Sequence, residues 1–142
     1  MTIRYEINPP KISNSTTEQI EKLEHRIEKI SHFCDGIQVT ESVLGIPRIS
    51  PIVIARKIKQ DNPKLKVTVS LRTIDKTIEQ IHQVLKELIE NKIDGVLVLM
   101  GDPPANNKPL SPLFPSKVTD ELVKNGYKEN IEIYLSVPNN PD

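Results

Sequence analysis

The chain alternates short apolar runs with longer segments of helical period, and that alternation limits the folds open to it. Thr2 to Ile7 reads as a first strand, ending in Asn8-Pro9-Pro10. Ser15-Thr16-Thr17-Glu18 has the form of a capping box, with Ser15 as the cap. Ile20, Leu23, Ile27 and Ile30 then recur at helical spacing, so a helix is expected to about Ser31. A second strand is expected over Gly36 to Thr40. Ser50-Pro51 opens a second helix that continues from Ile52 to Asp61 and stops at Asn62-Pro63. A third strand follows over Lys66 to Leu71. Asp75 or Thr77 opens a long helix, carried by Ile78, Ile81, Val84, Leu85, Leu88 and Ile89, that stops near Asn91. Gly95 begins the fourth strand. Pro115-Ser116 begins a shorter helix through Val123, closed by Asn125-Gly126, and Ile131 to Leu135 is the fifth strand.

Five strands and four helices in strict alternation predict an α/β fold with a parallel sheet and right-handed crossovers. No Gly-x-Gly-x-x-Gly follows the first strand and no Gly-Lys-Ser/Thr loop occurs, which disfavours the two best-tagged nucleotide folds. The loops after the strands are longer and richer in proline than those before them. That asymmetry fits a (β/α) barrel whose carboxyl-end loops build a site.

Composition narrows the function classes. Of 142 residues, 37% are hydrophobic, enough for one ordinary core. The 19 basic and 19 acidic residues balance, so nothing favours electrostatic capture of nucleic acid or of an anionic membrane. Aromatics are 4% and Trp is absent, which argues against base-stacking platforms. Cys34 is the single cysteine, excluding an intrachain disulfide and a multi-cysteine metal site; it reads as a small buried hydrophobe. No run approaches membrane-span length and no signal-peptide pattern opens the chain, so the expected location is cytoplasmic.

The run Val96-Leu97-Val98-Leu99-Met100-Gly101-Asp102-Pro103-Pro104 sets a carboxylate just past a buried strand, where α/β folds place their chemistry; the plain alternative is a surface turn. Parallel strands bring their carboxyl ends together, and the polar residues there are Glu6, Asn8, Thr40, Glu41, Ser70, Arg72, Thr73, Asp102 and Ser136. Glu6 and Asp102 come from nonadjacent strands and can share one pocket. Paired carboxylates in unlike surroundings divide into a proton donor and a fixed negative charge. If Glu6 faces inward, desolvation raises its proton affinity and suits it to general acid work; otherwise it is an outward edge residue. His25, His32 and His82 read as helix positions rather than metal ligands. Arg48 and Arg72 are either anion holders or plain surface residues, the second being the simpler expectation.

Tyr5-Glu6-Ile7-Asn8-Pro9-Pro10-Lys11 resembles the Phe-Glu-Phe-x-Pro-Pro-Lys segment that opens methylenetetrahydrofolate reductases. Val39-Thr40 resembles their second-strand Val-Thr, and Leu97 to Pro104 resembles their Ala-Leu-Arg-Gly-Asp-x-Pro turn. Ile131-Glu132-Ile133 and Pro138 look like their fifth strand and its loop. The resemblance spans nearly the whole chain. It implies a (β/α)8 TIM-barrel-like fold, of which residues 1–142 would be a single partial-barrel domain. It further implies an oxidoreductase of one-carbon metabolism and methionine biosynthesis. Such a flavoprotein carries FAD and reduces 5,10-methylenetetrahydrofolate to 5-methyltetrahydrofolate, with NAD(P)H as electron donor.

By position, Glu6 would protonate a folate ring nitrogen, and Asp102 would bind the pterin beside the flavin and favour a cationic intermediate. Thr40, Ser70, Met100, Gly101, Asp102 and Ser136 would lie at the cofactor. Met100 stands where the family usually has Arg, and Glu41-Ser42 where it has Tyr-Gly. The carboxylates are thus kept while the flavin-contacting set is altered, which leaves a noncatalytic or flavin-free pterin-binding subunit as the alternative. A complete barrel takes about 250 residues. Five strands leave two open edges, so the expectation is a piece of a longer chain, or a homo-oligomer or second subunit completing the barrel, rather than a fold that closes differently.

Overall fold

The computed structural model describes residues 2–41, 48–101 and 113–136. Five strands form one sheet: β1 (Arg4–Ile7), β2 (Gly36–Val39), β3 (Lys66–Arg72), β4 (Gly95–Leu99) and β5 (Glu132–Leu135). Four helices alternate with them: α1 (Thr16–Ile30), α2 (Pro51–Asp61), α3 (Ile78–Glu90) and α4 (Pro115–Lys124). A short 3-10 turn, Tyr127–Glu129, precedes β5. All neighbours pair in parallel, in the spatial order β1-β2-β3-β4-β5. Sequential order with crossovers of one hand keeps the helices on one face of the sheet, as in a barrel.

The core confirms this arrangement. Ile7, Val39, Val69 and Val98 point from the sheet toward Leu23, Ile58, Leu85 and Leu122 of the helices, all in one buried cluster. The opposite face carries Glu6, Gln38, Thr68 and Gly95, which are register partners across β1 to β4. Parity is the cause: in β3, Val67, Val69 and Leu71 alternate with Thr68, Ser70 and Arg72.

That second face is strongly concave. A flat five-stranded sheet is about 19 Å across between its outer strands, too far for side chains standing off one face to meet. Yet Arg4 on β1 donates from Nη2 to the Tyr134 hydroxyl on β5 at 3.2 Å, with its guanidinium 5.0 Å from the ring centroid. In an eight-stranded closure the first and fifth strands face each other across the interior. Tyr134 donates to Glu132, and Glu132 accepts from Lys66 Nζ of the middle strand at 2.8 Å. These groups floor the amino end of the concavity. The fold is α/β, a partial TIM-barrel-like sheet of five strands with its helices outside.

The expected elements are present with shifted ends. β1 begins at Arg4 rather than Thr2, and β3 extends through Arg72. Ser15 does cap α1 by position, but its hydroxyl makes no bond to the first-turn amides; it meets Ser13 Oγ at 3.1 Å instead. The complete capping box is at α3, where Thr77 accepts from Gln80 N and Gln80 accepts from Thr77 N. No described helix is long and apolar enough to cross a membrane.

Candidate functional site

The carboxyl ends of the strands surround the open end of the concavity. Glu6 lies on the concave face in register with Gln38, and it is exposed, because among the described residues β1 is an edge strand with no neighbour beyond it. Burial of its carboxyl by the fold itself is therefore absent. Thr40, one residue past β2, donates from its hydroxyl to Asn8 Oδ1, and its amide donates to Ile7 O at 3.0 Å. Ser136, just past β5, is exposed and held by its amide on Val98 O at 3.0 Å. Met100 is exposed, while its carbonyl accepts from Ile74 N at 3.1 Å. Asp102 lies outside the described residues.

Gly101 leads into that segment with φ of +84°, a left-handed conformation suited to glycine. A Cβ there would stand 2.5 Å from Arg72 Nε, so backbone packs directly on the guanidinium. Arg72 is therefore no surface residue: it is buried, with Nη1 3.6 Å from the Asp75 carboxylate. Glu41 accepts from the Arg72 amide at 2.9 Å and pairs with Lys76. The loop after β2 is thereby tied to the start of the loop after β3. Arg48 has a similar duty, donating to Pro9 O at 2.7 Å and holding the Pro9-Pro10 corner against its own segment.

Sequence reasoning named Ser70 but not the Gln38–Thr68 pair that lies beneath it. Gln38 Nε2 donates to Ser70 Oγ at 2.8 Å, and the Thr68 hydroxyl donates to Gln38 Oε1. The signal was available: Thr68, Ser70 and Arg72 alternate with three apolar residues, so one face of β3 is polar. Leu97 and Leu99 share that face and are half-buried. Hydroxyl and amide groups beside apolar side chains suit a planar ring bearing polar edges.

The histidines lie elsewhere. His25 and His32 are exposed, and His82 packs on Tyr127 with Nδ1 3.0 Å from the phenol oxygen. Among the described residues no group of three or more His, Cys, Asp or Glu is placed to hold a metal ion. Cys34 is half-buried against the core, and burial pushes its thiol above the usual range.

Comparison with known proteins agrees with this architecture. No curated protein matches the sequence. The crystal structure of Streptococcus suis SuiB superposes with a TM-score of 0.55 at 15% identity, covering 95% of this chain and 32% of SuiB. SuiB bound to S-adenosylmethionine gives 0.58 at 15% identity, covering 96% and 33%. At that identity the likeness is one of fold, and the chain spans only 32–33% of those proteins. The sequence itself is decisive: residues 1–132 match the family described as methylenetetrahydrofolate reductase. This match over nearly the whole chain places the protein in the methylenetetrahydrofolate reductase family, a folate-related oxidoreductase family.

Proposed function

We propose that this chain serves the reduction of 5,10-methylenetetrahydrofolate to 5-methyltetrahydrofolate, as one partial-barrel domain over residues 1–142. The observation that carries the reading is the register of Glu6 with Gln38 on a concave face that no described helix covers. A carboxyl acid, an amide and hydroxyls are thus gathered at the strand ends of a fold whose family reduces folates.

The ring-facing groups fit a flavin in kind, since Ser70 and Thr40 offer hydrogen bonds and Leu97, Leu99 and Met100 offer apolar surface. Thr40, Ser70, Met100, Gly101, Asp102 and Ser136 are the residues assigned to hold FAD. When bound, that cofactor supplies two-electron hydride chemistry, with NAD(P)H as the electron source. Glu6 delivers a proton to one of the two nitrogens that the methylene carbon bridges, so that this carbon–nitrogen bond breaks and the carbon stays on the other nitrogen. Asp102 supplies the fixed negative charge that favours a cationic one-carbon unit. The floor of Arg4, Tyr134, Glu132 and Lys66 closes the other end, so ligands enter past Glu6.

The test is the absorbance of the purified protein with added FAD, followed by reduction assays on Glu6→Gln. Loss of reduction with retained FAD binding supports the acid assignment, and unchanged turnover removes it. A colourless protein that binds tetrahydrofolate without FAD favours the flavin-free reading. Glu41 speaks for that second reading, being engaged by Arg72 and Lys76 where the family carries Tyr. The open β1 and β5 edges suit a second copy or a second subunit, and we assign the protein to the cytoplasm.

A further inference from the structure

We infer that Gln38 and Thr68 fix the Ser70 hydroxyl as a hydrogen-bond donor to an acceptor atom on the ring ligand, an inference that rests on the flavin or pterin reading above. The three side chains form a chain in which each bond sets the next. Thr68 donates to Gln38 Oε1, which leaves the amide nitrogen to donate to Ser70 Oγ at 2.8 Å. Ser70 then accepts through its oxygen, and its own hydrogen has no acceptor among the described residues.

An amide rotated by half a turn would reverse every bond, and burial decides between the two senses. Reversed, Ser70 would donate to Gln38, and Thr68 would be left holding the spare hydrogen. Thr68 is 1% exposed, so that hydrogen would be stranded in the interior. Ser70 is 7% exposed and two residues nearer the strand ends, so its hydrogen is the one that can reach a ligand. Hydrogen bonds in series also polarise one another, which strengthens the terminal donor.

The consequence is a selectivity of atom type. A ring carbonyl oxygen or an unprotonated ring nitrogen satisfies the Ser70 hydrogen, whereas a ring N–H reaches only the second lone pair of Oγ and leaves that hydrogen unpaired. Gln38 and Thr68 are positioning residues, touching the ligand only through Ser70.

The experiment uses the full chain titrated with FAD and, separately, with tetrahydrofolate, with affinity and the infrared carbonyl stretch of bound FAD as readouts. Ser70→Ala is expected to weaken binding about tenfold and to raise the carbonyl frequency, whereas Ser70→Thr keeps both near the parent values. Gln38→Glu presents a carboxylate that captures the Ser70 hydrogen, so it should reproduce the Ser70→Ala shift while Ser70 is still present. Unchanged affinity and frequency in Ser70→Ala overturns the inference and leaves the flavin reading standing. Failure of the parent protein to take up either ring overturns both. Should Gln38→Glu fail to fold, Thr68→Val, which releases the amide to rotate, is expected to give a smaller shift in the same direction. No shift in Thr68→Val overturns the positioning role.

Discussion

Asp35 and Asp94 make the same set of bonds one strand pair apart. Each precedes the glycine that opens a strand. The Asp35 amide donates to Ile3 O at 2.7 Å, and its carboxylate accepts from Ile3 N at 2.7 Å. The Asp94 amide donates to Val67 O at 2.9 Å, and its carboxylate accepts from Val67 N at 2.8 Å. Their carbonyls accept from Lys66 N and Glu132 N, at the starts of the next strands. Two aspartates therefore set the register of the sheet at its amino end.

The two sites differ in burial, which sets the cost of losing them. Asp94 is half-buried and also takes Lys59 Nζ at 2.6 Å, whereas the Asp35 bond is exposed. Asp94→Ala leaves the Val67 N–H and the Lys59 ammonium without their carboxylate and should cost about 2 kcal/mol in urea unfolding. Asp35→Ala should cost under about 1 kcal/mol. Equal losses would contradict the role of burial.

The floor of the concavity carries a pH signature. Hydrogen bonds from Lys66 and Tyr134 hold the Glu132 carboxyl below its ordinary range. The same carboxylate raises the Lys66 ammonium above its own. The Glu132 contribution is thus complete above its unfolded pKa, near 4.3, and fades as pH falls through the lower folded value. The Lys66 contribution is complete below its unfolded value, near 10.4, and fades as pH rises through the higher folded one. Melting temperature followed from pH 7 to pH 3 should fall less steeply in Glu132→Gln than in the parent. Both groups lie open to solvent, so the difference should be small and should shrink in salt.

Glycines divide by what surrounds them. A Cβ at Gly36 would sit 2.8 Å from the Lys66 carbonyl oxygen, which is backbone and cannot step aside. Gly36→Ala should therefore cost about 1–3 kcal/mol. Gly126 has open space but φ of +78°, so Gly126→Ala should cost only about 1 kcal/mol of backbone strain. Lys92 is the converse case. It ends α3 with φ of 57°, Lys92 N bonding Ile89 O and Ile93 N bonding Leu88 O, each at 3.0 Å. Lys92→Gly should stabilise the chain by about 0.5–1 kcal/mol, read as a shift of the urea midpoint.

Cys34 should be sluggish. Its thiol is pushed up by burial, so the thiolate fraction at neutral pH lies below that of a free cysteine. Alkylation by iodoacetamide should run several-fold slower than for a small thiol at pH 7.5 and should accelerate with pH. A rate matching the small thiol would refute this.

The order of elements was legible because strand and helix periods are distinct and the breaks carry Pro, Asn and Gly. Which face each strand residue takes follows from parity, and β3 displays it openly through Thr68, Ser70 and Arg72. The fate of single side chains depends on neighbours that no local pattern contains. Glu6 is exposed because β1 is outermost, a fact of topology. Arg72 is buried because the Gly101 backbone lies on it, a contact between the end of β3 and a loop residue 29 positions on. Asp35 and Asp94 carry no mark in the sequence, because their partners at Ile3 and Val67 are backbone groups with no side-chain signature.

The Arg4–Tyr134 contact has a kinetic consequence. Each strand pairs only with the next one in sequence, so the sheet can be laid down one crossover at a time. The contact joins residues 130 apart and needs all five strands curled into place, which makes it a late event along any such route. Deleting it should then hasten unfolding while leaving the refolding rate almost untouched. The brace across the concavity acts as a latch that closes after the sheet is built and sets how long it stays closed.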